Sequence, residues 1–296
     1  MYAYDHVQLS SLLQKILQDH VSPEAWAWLA GEVAEDSVSR FNGAFARVPR
    51  KTGKEVIRLS PDAEKSVSNV RKDFTISGWT ADRLARVWLL MQLNADDRSK
   101  YFECIEGLFL AAEMGELVAL YSALPVLAHP PMWQKRCAEG VRSNIGQVLE
   151  AVICRNPYPA EQLDELAWNQ LVLKALFTEK PVLDIVGLRE RRNKNLALSL
   201  TDYAHERWAA HRDVNPLLWL CVAPYINDEN IADIRRLFAS ADMAERSAAG
   251  LVCYESDFPA AKDLLEQFPE IKSNIENGQT SWPAVAALQL SGEKKT

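Results

Sequence analysis

One stretch carries side chains of the right type and spacing for acid/base or ligand chemistry. It is RRNKNLALSLTDYAHERWAAHR, residues 191–212. At about 100° per residue on a helix, Asn195, Ser199, Asp202 and Glu206 fall in one narrow arc. His205 lies about 60° from Asp202, and imidazole is the side-chain type suited to proton transfer near neutral pH. Two carboxylates at i and i+4 repel unless a cation or a proton lies between them. The arc therefore reads as a polar pocket of Asn195, Ser199, Asp202, His205, Glu206 and Arg207. The plain alternative is a solvated stripe whose acids pair with Arg191, Arg192 or Arg207. Asp202, His205 and Glu206 are suitable ligand types for a metal, but no histidine pair at i and i+4 exists and His211 points elsewhere. No catalytic residue, metal or cofactor is assigned. From Leu196 onward most other positions are apolar, which predicts a central helix showing water only a thin ribbon. Trp208 is then a core residue.

The second chemical feature is basic. Arg40, Arg47, Arg50, Lys51, Lys54 and Arg58 stand against one acid, Glu55, with Phe41 and Phe45 as anchors. Arg40, Arg47, Arg50, Lys51 and Lys54 are candidates for an anion clamp on a phosphate or carboxylate. The alternative is a basic loop paired with acidic neighbours. Gly53-Lys54 resembles part of a phosphate loop, but the leading glycine is missing and Glu55 replaces the Ser/Thr. GxGxxG, HExxH, GxSxG and DDxxD signatures are absent. The Asp96-Asp97 pair sits at a helix start, where capping accounts for it.

The elements that must position these groups are helices. Leu84, Val87, Trp88 and Met91 form one stripe at i, i+3, i+4 and i+7 behind Thr80. Leu9, Leu12, Leu13, Ile16 and Leu17 form another, and Ser22-Pro23-Glu24 opens the next helix. Similar stripes lie near 116–125, 131–143, 145–155 and 160–178, divided by proline-bearing turns. Trp26, Trp88 and Trp168 fall within stripes and read as core. Trp79, Trp133, Trp219 and Trp282 lie near helix starts. Asp242 caps a helix of small residues, and Pro259 opens a leucine helix. Only Glu55–Leu59 has a strand pattern. The expected fold is all-α: an irregular HEAT-like, α-solenoid-like stack of antiparallel helix pairs with an N-terminal helical hairpin. The expected divisions are a hairpin over 1–46 docked on the main body, a basic surface loop over 47–60, a helical body over 61–288 and a frayed tail over 289–296.

Composition sets the outer limits. The chain has 296 residues, 48% hydrophobic and 25% charged, which excludes disorder as the main state. A net charge of −7 argues against a dedicated nucleic-acid binder. The longest apolar run, 117–128, is too short to span a bilayer. Five dispersed cysteines without a CxxC pair, and no signal peptide, lead to an expected cytoplasmic location.

DYAHERWAAHR at 202–212, followed by NPLLWLCVAPY at 215–225, resembles the signature of the EboA family. FARVPRKTGK at 45–54 is similar to that family's arginine–glycine segment. The resemblance implies a helical, cytoplasmic bacterial protein of secondary metabolism. It also implies a gene cluster that moves a metabolite precursor towards the envelope, alongside a prenyltransferase-like membrane protein and sugar- or hydrolase-type enzymes. It transfers no catalytic residues. The resulting expectation is a non-catalytic adaptor or binding protein, with a small precursor and cluster-encoded proteins as partners. Two alternatives stand beside it: a helical enzyme using Asp202, His205 and Glu206, and a pure protein-interaction scaffold.

Overall fold

The computed structural model describes residues 2–33 and 38–292, and among them the regular structure is helical. Cα packing divides the chain into two compact units. One is residues 1–174 with 184–186; the other is 175–183 with 187–296.

The first unit begins with α1 (His6–His20), α2 (Pro23–Val33), α3 (Val38–Thr52) and α4 (Pro61–Val70). It continues with α5 (Ala81–Met91), α6 (Arg98–Ala111) and α7 (Met114–Ala123). After these come α8 (Gln134–Val141), α9 (Gly146–Ile153), α10 (Tyr158–Gln162) and α11 (Glu165–Phe177), whose last turn belongs to the second unit. Helix α5 is the hub: α1, α3 and α7 pack on it, and every one of its residues except Arg83 is buried. The stripe of Leu84, Val87, Trp88 and Met91 is therefore only part of what it buries. At α1, His6 meets the Met91 carbonyl at 2.9 Å and Ser10 receives the Gln92 amide at 3.0 Å. Asp97 caps α6 by accepting from the backbone N–H groups of Ser99 and Lys100.

The segment expected as a loop from residue 47 is helical as far as Thr52, with Pro49 inside it. Proline lacks the N–H that would bond the carbonyl four residues back. That carbonyl, on Phe45, instead accepts from Arg86 Nε at 3.0 Å. The helix keeps its course because a side chain of α5 supplies the missing donor. Only the part after Thr52 is irregular, and Val56 makes an isolated antiparallel bridge with Thr80 where a strand was the other possibility.

The second unit comprises α12 (Lys194–Ala209), α13 (Trp219–Val222), α14 (Ile231–Phe238) and α15 (Met243–Glu255). It ends with α16 (Pro259–Glu266), α17 (Pro269–Glu276) and α18 (Trp282–Gly292). Residues 293–296 of the expected tail lie outside the described residues, whereas 289–292 are helical. Here the hub is α15, on which α13, α14, α16, α17 and α18 pack. Its small residues allow this: at Gly250 a side-chain carbon would run into Ile271 of α17. The all-α class is as expected. The packing inside this unit is a cluster about one helix, where a HEAT-like stack would join each pair only to its neighbours. Helix α12 is not the central element.

Candidate functional site

Helix α12 starts where the Asn193 side chain accepts from the Leu196 N–H at 2.8 Å. It stops at Ala209, because His211 is left-handed (φ 53°) and Arg212 N–H turns back to the Arg207 carbonyl. Residues 191–193 and 210–212 are thus outside the helix they were expected to extend. Leu196, Ala197, Leu200, Thr201 and Ala204 are buried on one face. Leu198 and Ala209 are exposed, and Tyr203 and Trp208 are half-buried. The thin-ribbon expectation is overturned: roughly half of α12 faces water. Its apolar count came partly from alanines, which gain little from burial and do not force a helix inward.

Asn195, Ser199, Asp202, His205 and Glu206 share the exposed side, as the helical spacing placed them. Each of these five side chains is exposed, and Arg207 beside them is half-buried. Ser199 Oγ donates to the Asn195 carbonyl at 3.0 Å, a bond within the helix. Asp202 and Glu206 have no ion-pair partner among the described residues. Arg207 donates Nε–H to the Asp213 carbonyl at 2.7 Å and lies over Tyr203, pairing with neither acid among the described residues. The imidazole of His205 is held by a residue that helical spacing does not reveal. Its Nε2 stands 2.9 Å from each carboxylate oxygen of Asp233 on α14. Trp208 stacks on Trp219 at 5.8 Å, and the Arg236 guanidinium covers it at 4.2 Å. It is a ledge between two elements rather than a core residue. Trp26 is likewise half-buried, while Trp79, Trp88, Trp133, Trp168, Trp219 and Trp282 are buried.

On another edge of α12, Lys194, Ala197 and Leu198 line a cleft of about 190 Å³ with Tyr225, Ile226, Asn227 and Asn230. Its floor is apolar and its rim carries one ammonium. The amides of Asn227 and Asn230 both donate to the Tyr225 carbonyl, so they shape the turn as well as the cleft. None of the polar-arc residues lines it.

The basic segment is organised by an acid that sequence reasoning passed over. Glu32 on α2 is buried and accepts from Arg40 Nε at 3.2 Å and from Arg47 Nη2 at 3.3 Å. Arg47 and Lys51 both approach the Trp28 ring, at 5.9 and 5.8 Å. Arg50 and Lys54 are exposed. Arg40 and Arg47 therefore tie α3 to α2 while staying exposed, and Arg50, Lys51 and Lys54 are exposed beside them. Among the described residues no group of three His, Cys, Asp or Glu side chains is arranged to hold a metal ion. No helix among them is long and apolar enough to cross a membrane.

Residues 9–223 match the family model described as metabolite traffic protein EboA, well over half of the chain. The chain belongs to the EboA family. No curated protein and no solved structure matches it. The EboA match runs from within α1 to the end of α13 and takes in all of α12. His205 and Trp208 lie inside it, whereas Asp233 and Arg236, which hold them, lie beyond its end.

Proposed function

We propose that the protein acts in metabolite traffic as a non-catalytic carrier or adaptor. It would hold a small precursor of bacterial secondary metabolism, or another protein of its gene cluster, in the cytoplasm. Membership of the EboA family supports the traffic role. The observation that favours carriage over catalysis is the way the α12 side chains are engaged. A general base needs its imidazole within reach of a substrate proton and shielded from bulk water. The His205 side chain is 51% exposed and paired with Asp233 across a helix contact, while Asp202 and Glu206 stand in solvent.

The test is a double variant, His205→Ala with Glu206→Gln, returned to the native host. The proposal expects metabolite output to be retained. Loss of output with an unchanged melting temperature would make these residues catalytic and refute the non-catalytic reading.

A further inference from the structure

Among the described residues of the first unit, Arg71, Arg86 and Arg136 are withdrawn from water and each is paired with a carboxylate. Arg71 makes a two-pronged pair with Glu161 at 2.7 and 2.6 Å. Arg136 pairs with Glu106 and Glu139. Arg86 pairs with Asp82 at 3.0 Å. Arg83, on the same helix as Arg86, ion-pairs with no carboxylate among the described residues. Its Nε–H donates to the Ser122 hydroxyl of α7 at 2.8 Å, and that hydroxyl donates on to the Val118 carbonyl. Its guanidinium lies flat on Trp79, 4.2 Å from the ring centroid. Both contacts fix its plane, and neither supplies negative charge. The nearby Asp82 is already taken, by Thr80 at 2.6 Å and by Arg86.

A second cation, Arg155, is close enough for its charge to act on Arg83. Arg155 is held in a left-handed conformation (φ 52°), its N–H on the Asp184 carbonyl at 2.7 Å and its Nε 3.3 Å from the Asp184 carboxylate. The following residue, Asn156, is buried and donates to the Tyr121 carbonyl at 3.1 Å, one residue from Ser122. Arg155 is thereby pinned beside the residues that receive Arg83. Burial first, and the charge of Arg155 second, push the Arg83 guanidinium down to about 9, against the pull of Asp82. A guanidinium keeps its proton at neutral pH, so this charge is held at a cost that a bound anion would relieve. The Nη groups of Arg83 make no hydrogen bond within the described residues. They match the planar, two-pronged recognition of an oxyanion.

We infer that Arg83 and Arg155 form a binding site for an oxyanion, the carboxylate or phosphate end of the small molecule the protein carries. This rests on the carrier reading and adds the chemical class of the cargo and the place where its charged end is held. Arg155, with 54% of its side chain exposed, is the outer contact. Arg83, flat on Trp79, is the inner contact.

The experiment is a thermal-unfolding titration of the full chain with inorganic phosphate and, separately, succinate. Ionic strength is held constant with chloride. Saturable stabilisation by one probe or both is expected, and the tighter probe tells a phosphate from a carboxylate cargo. Arg155→Gln should weaken that binding at least tenfold. Arg83→Met keeps an apolar stem over Trp79 and removes the unneutralised charge. It should abolish the response without lowering the melting temperature in the absence of anion. Should Arg83→Met fail to fold, the half-exposed Arg155 decides alone. No saturable response from either probe, or equal responses in wild type and Arg155→Gln, would overturn the site. A small molecule retained by the Arg155→Gln protein would remove this site and leave the carrier reading standing. Anion binding here with no molecule retained from the host would do the reverse.

Discussion

His205 illustrates how a residue suited to chemistry can be used for structure. Its half-exposed ring joins α12 to α14 through Asp233, and a polar contact with one partner in water contributes little. We predict that His205→Ala costs less than about 1 kcal/mol in urea unfolding. Trp208 and Trp168 should separate in the same assay. Trp168 is fully buried, and its replacement by alanine should cost about 3–5 kcal/mol. Trp208→Ala removes a half-buried stack on Trp219 and should cost about 1–3 kcal/mol. Equal losses would mean that Trp208 is core after all. Asp97 gives a pH signature. The backbone N–H of Lys100 chiefly holds its carboxyl below the ordinary aspartate value of 3.8. The folded value lies below the unfolded one, so this contribution is present above 3.8 and lost as pH falls through the folded value. Asp97→Asn should flatten that part of the acid-unfolding curve. At this scale the sequence showed which α12 residues share a face, because helical spacing is local. It did not show Asp233, Arg236 or Glu32, which reach their partners from other helices.

Helix by helix, existence and type were legible from apolar periodicity, and interior exceptions were not. Pro49 argued for a loop, since a proline inside a helix leaves a carbonyl without a donor. The donor, Arg86, lies 41 residues away in the chain. The Arg86 side chain also neutralises Asp82 in a buried pair, 4% and 9% exposed. Arg86→Ala should therefore destabilise by about 3–5 kcal/mol, leaving Asp82 buried without its cation and the Phe45 carbonyl without its donor. A loss near zero in chemical denaturation would show that α3 does not depend on this contact. Gly140 fixes how α8 sits on α7 and α9. A methyl there would lie 2.5 Å from Tyr121 and 2.6 Å from Val152. Gly140→Ala should cost about 1–3 kcal/mol by overpacking, where a free helix position would gain stability from the same change.

At the scale of the whole molecule, each unit has one helix that several neighbours share: α1, α3 and α7 pack on α5 in the first, and α13, α14, α16, α17 and α18 pack on α15 in the second. The all-α class could be read from the chain because apolar stripes and proline-marked turns recur along its length. The hubs could not, because which stripe is most enclosed depends on how many neighbours approach it. The breadth of the α12 stripe suggested centrality, yet the small-residue helix α15 admits five neighbours. The EboA match, residues 9–223, ends after α13 and before Asp233. The carrier reading is a claim about this whole assembly, so it is tested on the full chain taken from its own host. Mass spectrometry under non-denaturing conditions should show one discrete small molecule held at a constant ratio to protein, and released chemically unchanged after prolonged incubation. A protein that keeps no such molecule, or that converts it during incubation, would contradict the account.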